Sequence, residues 1–412
     1  MIFLYWIFSQ LSFLIYKTVS WFNPKAALFV KGRKNWRKAL SVQFENKIQP
    51  ILWFHCASVG EFEQARPIIE SLRDRNVSVK ILLTFFSPSG YELRKNYDKV
   101  DVVTYLPLDS PTNAKDFVEI VKPDLAIFIK YEFWHYYIQA LNRKKIQIWS
   151  VSSIFRREQI YFKWYGGFYA KILSRVNQFF VQNEESVRLL STLGINQVIK
   201  SGDSRFDRVA EVAKKGAPIP LAALFSNNKQ VVVAGSIWKE DIEVIIPFLK
   251  NNPQLHAIIA PHELKEEYYT IFEKEFLNEC LKYSNAKEEN VIGKRILWID
   301  NVGMLSRLYR YGKYAYIGGA FGKGLHNTLE AACYGIPVFF GNKNYRKFLE
   351  ASEMIKNGVA FAIANENEFQ MIFQNLQKEE IYHDVCSKAI DYVNSKTGAT
   401  KMVVEAIMNK LS

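Results

Sequence analysis

Short apolar runs alternate with amphipathic segments along this chain, and about halfway the alternation stops and starts again. In the first series β-prone runs at 51–56, 79–85, 101–105, 124–129, 146–151, 178–181 and 198–201 are separated by helical segments at 57–73, 89–96, 111–121, 132–142 and 184–193. Such alternation with short connections predicts a doubly wound parallel sheet. Residues 207–228 break the pattern with Lys214-Lys215-Gly216, Pro218, Pro220 and Asn227-Asn228, a linker whose start retains helical character. A second series follows, with strands at 230–234, 255–260, 295–299, 314–317 and 336–340 and helices at 241–250, 263–278, 302–311 and from about 325. The helical segments 366–375 and 379–410 close the chain, and one of them is able to cross back to the first domain. The expected division is therefore residues 1–40, an α/β domain over 41–206, a linker over 207–228 and a second α/β domain over 229–412 with C-terminal helices. Ligands of open α/β sheets bind beyond the carboxyl ends of the strands, so two such domains predict a cleft lined by those loops.

Size and charge narrow the partners. A chain of 412 residues exceeds one ordinary core, and 49% hydrophobic content supplies material for two. A net charge of +13 points to an anionic partner, whether nucleic acid, acidic lipid or a phosphorylated substrate. No aromatic-basic platform or known module supports nucleic acid, which leaves lipid and substrate phosphates. Cys56, Cys280, Cys333 and Cys386 have no paired spacing, so neither a disulfide framework nor a zinc site is expected. Residues 1–16 carry no charged side chain and are followed by Lys17, Lys25, Lys31, Arg33, Lys34, Arg37 and Lys38. That apolar run falls short of the roughly 20 residues that span a bilayer, and it lacks the leading charge and cleavage site of a signal peptide. It reads as an uncleaved membrane-associating helix with a basic flank for anionic headgroups. The alternative is an aromatic helix packed on the protein's own surface.

Candidate chemistry sits just after the strands. At 318–341 a glycine-rich turn, GGAFGKG, precedes the helix expected from Leu325, whose exposed N–H groups suit a nucleotide phosphate, and Glu330 is one turn in, within reach of a ribose hydroxyl. A tight turn between packed elements is the bland alternative. Ser58-Val59-Gly60-Glu61 is a helix capping box, yet it also sets a carboxylate where a general base is needed. Lys130 follows a strand and can neutralise developing negative charge, with Glu132 able to orient a hydroxyl; a solvated lysine before an acidic first turn is the alternative. Arg205 offers a planar fork to phosphate, against an Arg205–Asp207 surface pair. His262, after Pro261, has no second ligand at metal spacing, so no metal site is expected.

Together these motifs resemble the 3-deoxy-D-manno-octulosonic acid (Kdo) transferases. The resemblance rests on Ala57 to Glu61, Thr84-Phe85-Phe86-Ser87-Pro88-Ser89-Gly90, Tyr105-Leu106-Pro107-Leu108-Asp109, Gln182-Asn183-Glu184-Glu185, Ser201 to Asp207, Ala234-Gly235-Ser236 and the stretch 318–341, in the family's order. It implies a GT-B fold, two Rossmann-like domains facing a central cleft, and inverting, metal-independent transfer of Kdo from CMP-Kdo to the lipid A precursor lipid IVA, in lipopolysaccharide synthesis at the cytoplasmic face of the inner membrane. CMP-Kdo is then a donor substrate and no cofactor is implied; the oligomeric state is left open. By this resemblance Glu61 accepts the proton, Arg205 stands where the family has a charge-stabilising lysine, and Gly319, Asn327, Thr328, Leu329 and Glu330 bind CMP. Several positions depart from the pattern. Lys130 replaces the first acid of Glu-x-Glu, Pro261-His262 replaces the nucleotide-binding Pro-Arg, and Val302-Gly303-Met304 replaces Met-Gly-Glu, with Lys323 and Arg307 as nearby substitutes for the lost charge. The rival readings are a GT-B enzyme using a UDP-sugar and a non-catalytic, membrane-associated binding protein.

Overall fold

The computed structural model describes residues 2–411, and in the first helix the side chains of residues 5–7, 9, 11 and 14 onward. Two compact units divide it: Met1–Asp207 together with Thr397–Ser412, and Arg208–Lys396.

The first unit is built on β1 (Ile51–Cys56), β2 (Lys80–Phe85), β3 (Val102–Tyr105), β4 (Leu125–Ile129), β5 (Gln147–Ser153), β6 (Gln178–Val181) and β7 (Val198–Lys200). These pair in the order β3-β2-β1-β4-β5-β6-β7, all parallel. β1 and β4 are buried at every residue because helices cover both faces of the sheet, the condition under which a parallel strand is apolar throughout. One face packs on the core of Trp53, Phe117, Phe128 and Tyr137, the other on that of Phe54, Phe62, Ile69 and Phe85. The second unit repeats the plan with β8 (Val231–Ile237), β9 (His256–Pro261), β10 (Cys280–Lys282), β11 (Ile296–Trp298), β12 (Tyr314–Ile317), β13 (Val338–Gly341) and β14 (Ala360–Ile363), in the order β10-β11-β9-β8-β12-β13-β14. In each sheet the order reverses beside its first strand, between β1 and β4 and between β8 and β12, and there the flanking loops part to leave room for a ligand.

Four expectations change. The supposed linker is structured: Ser204–Lys215 is one helix, Pro220–Ser226 another, and the units part between Asp207 and Arg208. The last residues leave the second domain. Gly398, at φ +113°, breaks the helical stretch into Glu379–Asn394 and Ala399–Leu411, and the latter buries Val403, Val404 and Ile407 in the first unit's core beside Leu52 and Phe62. β10 and β14, edge strands of three and four residues, are too short for a periodic signal. The helix expected from Leu325 spans only Leu329–Ala332, since the glycine turn before it and Gly335 after it leave too few residues for a cooperative helix.

At the N-terminus α1 (Ile2–Val19), α2 (Pro24–Lys31) and α3 (Trp36–Gln43) belong to the first unit. The Tyr5 hydroxyl donates to Asp109 at 2.6 Å and Tyr16 stacks on Phe29 at 4.0 Å, while Trp6, Leu11, Leu14, Ile15 and Val19 are exposed and Trp21 and Phe22 reach 75% and 88% exposure. Among the described residues no helix is long and apolar enough to cross a membrane.

Candidate active site

In the first unit the chemistry gathers at the β1/β4 switch. β1 runs into α4 (Val59–Asp74), whose capping box forms: the Ser58 N–H donates to Glu61 Oε2 at 3.0 Å, the Ser58 hydroxyl donates to the same oxygen, and Ser58 Oγ accepts from the Gly60 N–H at 3.3 Å. The other oxygen, Oε1, lies 3.7 Å from Lys130 Nζ. The cap therefore occupies one oxygen of the carboxylate and leaves the other facing Lys130. Lys130 reaches it because its backbone is left-handed, φ +60°, an uncommon conformation for a residue with a Cβ. Its carbonyl accepts from the Ser150 and Ser153 hydroxyls at 3.0 and 2.7 Å and its N–H donates to Val151 O at 2.9 Å, which holds that conformation in place. The helix expected at 132 begins instead at His135, capped from a distance by Asp109, which accepts the Tyr136 and Tyr137 N–H groups at 3.1 Å each.

Arg205 joins this site through α4. It bonds Asp203 with Nε at 2.9 Å and Nη2 at 2.8 Å, and Asp203 accepts from Gln64 at 3.1 Å, one turn after Glu61. Burial pushes the Asp203 carboxyl up, but Arg205 outweighs it and holds the group below the usual carboxylate range. The Arg205–Asp207 pair is not formed; Asp207 accepts the Gly398 and Thr400 N–H groups at 2.6 and 2.8 Å and starts the last helix. One cluster was not foreseen as a cluster, and its His55 was not singled out in the sequence: buried His55 and Thr84 are linked at 2.9 Å, and Trp134 Nε1 lies 3.2 Å from His55 Nε2 and 3.1 Å from Glu132 Oε2. These residues lie on separate strands and loops, which only the sheet brings together.

In the second unit the β8/β12 switch carries the glycine turn. Gly319 has φ +91°, and a Cβ there would lie 2.4 Å from the Gly324 carbonyl oxygen, so the turn closes only on glycine. Asp241 anchors it, accepting from the Gly319 N–H at 2.9 Å, the Trp238 N–H at 2.8 Å and the Tyr316 hydroxyl at 2.7 Å. Sequence reasoning passed over Asp241, although Trp238-x-x-Asp241 has capping-box spacing. Asn327 donates to Glu330 at 3.1 Å and accepts from the Leu329 N–H at 3.2 Å, and the Thr328 hydroxyl is buried without a partner. With four helical residues behind it, this segment offers a ligand side chains and individual N–H groups and no appreciable macrodipole.

Pro261 ends β9 and His262 stacks on Trp238 at 4.5 Å and on His326 at 4.3 Å, while Trp238 Nε1 donates to His326 Nε2 at 3.0 Å. Burial lowers the pKa of both imidazoles, His326 to about 4. His262 is then a flat stacking surface at neutral pH and no replacement for an arginine's charge. Lys323, 4.4 Å above the Trp238 ring, supplies a cation here, whereas Arg307 is turned away to the Ala217 carbonyl at 3.3 Å. Val302 and Gly303 lie in an open loop, Val302 84% exposed; Met304 leads into Leu305, which packs against Gly235 at the end of β8. Among the described residues no cluster of His, Cys, Asp or Glu is placed to hold a metal ion.

Two parallel seven-stranded sheets, each with polar groups at its switch point, make this an α/β protein of the GT-B type. The fold is shared with UDP-N-acetylglucosamine 2-epimerases from Neisseria meningitidis (TM-score 0.62, 16% identity, 87% of this chain and 100% of that one) and Listeria monocytogenes, described as putative (TM-score 0.59, 12% identity, 88% and 96%). Residues 34–208 match the family model described as 3-deoxy-D-manno-octulosonic-acid transferase (kdotransferase). The chain is 34% identical over 77% of its length to the 3-deoxy-D-manno-octulosonic acid transferase of Aquifex aeolicus, covering 83% of that protein, and 27% identical over 76% of its length to that of Rickettsia felis, covering 69%. It belongs to the 3-deoxy-D-manno-octulosonic acid transferase family and is a glycosyltransferase.

Proposed function

We propose that the protein transfers Kdo from CMP-Kdo to the lipid A precursor lipid IVA, with inversion and without a metal, in lipopolysaccharide synthesis at the cytoplasmic face of the inner membrane. The observation that carries this reading is the division of labour on Glu61: Ser58 holds Oε2, and Oε1 faces Lys130 at 3.7 Å. In the reaction a hydroxyl of the glucosamine disaccharide gives its proton to Glu61 as its oxygen attacks the anomeric carbon of Kdo. The bond from that carbon to the phosphate oxygen breaks and CMP leaves with the electron pair. Lys130 and Arg205 meet the negative charge as it grows. For the donor, the Asn327 to Glu330 segment contacts CMP, His262 on its Trp238 support offers a stacking face, and Lys323 offers a cation. Exposed apolar residues of α1 with Lys17, Lys25 and Lys31 support a seat on an anionic membrane.

Purified protein given CMP-Kdo and lipid IVA is expected to yield a lipid heavier by Kdo, with turnover unchanged by a chelator. Glu61→Gln keeps the cap acceptor and removes the base, so turnover is expected to fall about 100-fold or more while the melting temperature holds. Unchanged turnover in this variant rejects the mechanism; protection from thermal unfolding by UDP and not by CMP rejects the donor.

A further inference from the structure

A hollow of about 290 Å³ lies between α1, α2 and the loop after β2, lined by Ile15, Val19, Ala26, Phe29, Phe86 and Pro88, with Lys25 among its polar neighbours. It is a standing feature. Arg33, reaching from just beyond α2, donates to the carbonyls of Phe29 at 3.0 Å, Phe86 at 2.7 Å and Leu106 at 2.8 Å, and its guanidinium lies 3.7 Å over the Phe29 ring. The wall is also tied to the reacting carboxylate. The Phe86 N–H donates to Cys56 O at 3.3 Å and the Ser87 N–H to Ala57 O at 2.8 Å, the two residues that lead into Ser58 and Glu61. An aromatic series runs the same way, from Tyr16 on Phe29 (4.0 Å) to Phe86 (5.3 Å) to Trp134 (4.9 Å), whose indole nitrogen is 3.1 Å from Glu132. Outward, the exposed Ile15 and Val19 continue the apolar wall along α1, and Trp21 and Phe22 extend it beyond. Lys17, Lys25 and Lys31, all exposed, give this surface the sign that suits an anionic amphiphile.

We infer that this hollow seats one acyl chain of the acceptor lipid and so sets its sugar hydroxyl at Glu61; the inference rests on the acceptor named above. An apolar space whose wall is hydrogen-bonded to the strand end that leads into Glu61 suits a molecule with a hydrocarbon tail near its reacting hydroxyl. The occupant is the acceptor's own chain, and a bilayer phospholipid is the competitor to be tested.

The experiment uses the full chain in detergent micelles, without CMP-Kdo, and lipid IVA bearing a diazirine on one acyl chain. Irradiation is expected to label peptides containing residues 15–29 and 86–88, with unlabelled lipid IVA displacing the label and phosphatidylglycerol at equal concentration failing to do so. Val19→Trp narrows the hollow from an exposed position on α1, so labelling is expected to fall and the acceptor KM to rise about tenfold, the loss of roughly two buried methylenes. Val19→Ser, which leaves the hollow open, controls for folding by its melting temperature. Label scattered over the chain, equal displacement by phosphatidylglycerol, or an unchanged KM in a folded Val19→Trp protein overturns the inference. Since labelling needs no turnover, protein that is labelled here and forms no Kdo-lipid removes the transfer reading and leaves this one standing.

Discussion

Arg205 shows how a side chain proposed for the chemistry is first of all a structural partner. Its guanidinium faces a buried aspartate, and removing it leaves that carboxylate without its cation, a change that costs about 3–5 kcal/mol at buried pairs. Arg205→Ala is therefore expected to lower the urea midpoint markedly as well as turnover, and Arg205→Lys, which keeps charge without the two-nitrogen fork, to fall between. The Asp203 carboxyl is held below its ordinary value, so its stabilisation is present above about pH 4 and is lost as pH falls through the folded-state value. In Arg205→Ala the acid limb of a stability–pH curve is expected to move to higher pH; an unmoved limb refutes the assignment. The sequence marked Arg205 as a phosphate clamp and offered Asp207 as its partner only in the alternative reading; both aspartates are two residues away, and only the fold of the loop chooses between them.

Among the elements, the helix His135–Arg143 illustrates a start signal that local reading cannot see. Residues 130–134 offer a left-handed lysine and bulky aromatics, and the cap is Asp109, which also accepts the Tyr5 hydroxyl and so fastens α1 to the body. Burial outweighs these hydrogen bonds and raises the Asp109 carboxyl to about 6. Between about pH 4 and pH 6 the folded chain thus holds a proton that the unfolded chain has released, and stability falls as pH rises through that window, by about 2–3 kcal/mol. Asp109→Asn is expected to flatten this slope in denaturant titrations across pH 4–6; an unchanged slope removes the latch. Glu61 was legible at this scale, because a capping box is written in four consecutive residues. The glycine turn was legible too, and so was the stop at Gly335, but the helix was overestimated at its start: composition shows helix formers from Leu325 without showing that the turn runs on to Thr328.

For the whole molecule, the last helix is the informative piece. Ala399–Leu411 returns to the first unit and buries Val403, Val404 and Ile407 among residues of β1, β2 and α4. At about 1.5–3 kcal/mol for each buried side chain, deleting residues 397–412 is expected to cost the first unit several kcal/mol. Calorimetry is expected to show the first unit's transition shifted down and that of the second, Arg208–Lys396, unmoved. Equal shifts in both would assign the helix a different role.

The sequence by itself determined the two α/β series, the strands that form their centres and the family, since apolar runs, capping boxes and glycine turns act over a few residues. Tertiary structure decided which side chains meet. Lys130 reaches Glu61, Asp241 anchors Gly319 and Phe86 walls a hollow against α1 and α2, each joining residues far apart along the chain, and the fold of one loop gives Arg205 to Asp203. Parallel sheets place strand ends side by side whatever their order in sequence, and the candidate site residues are gathered at those ends.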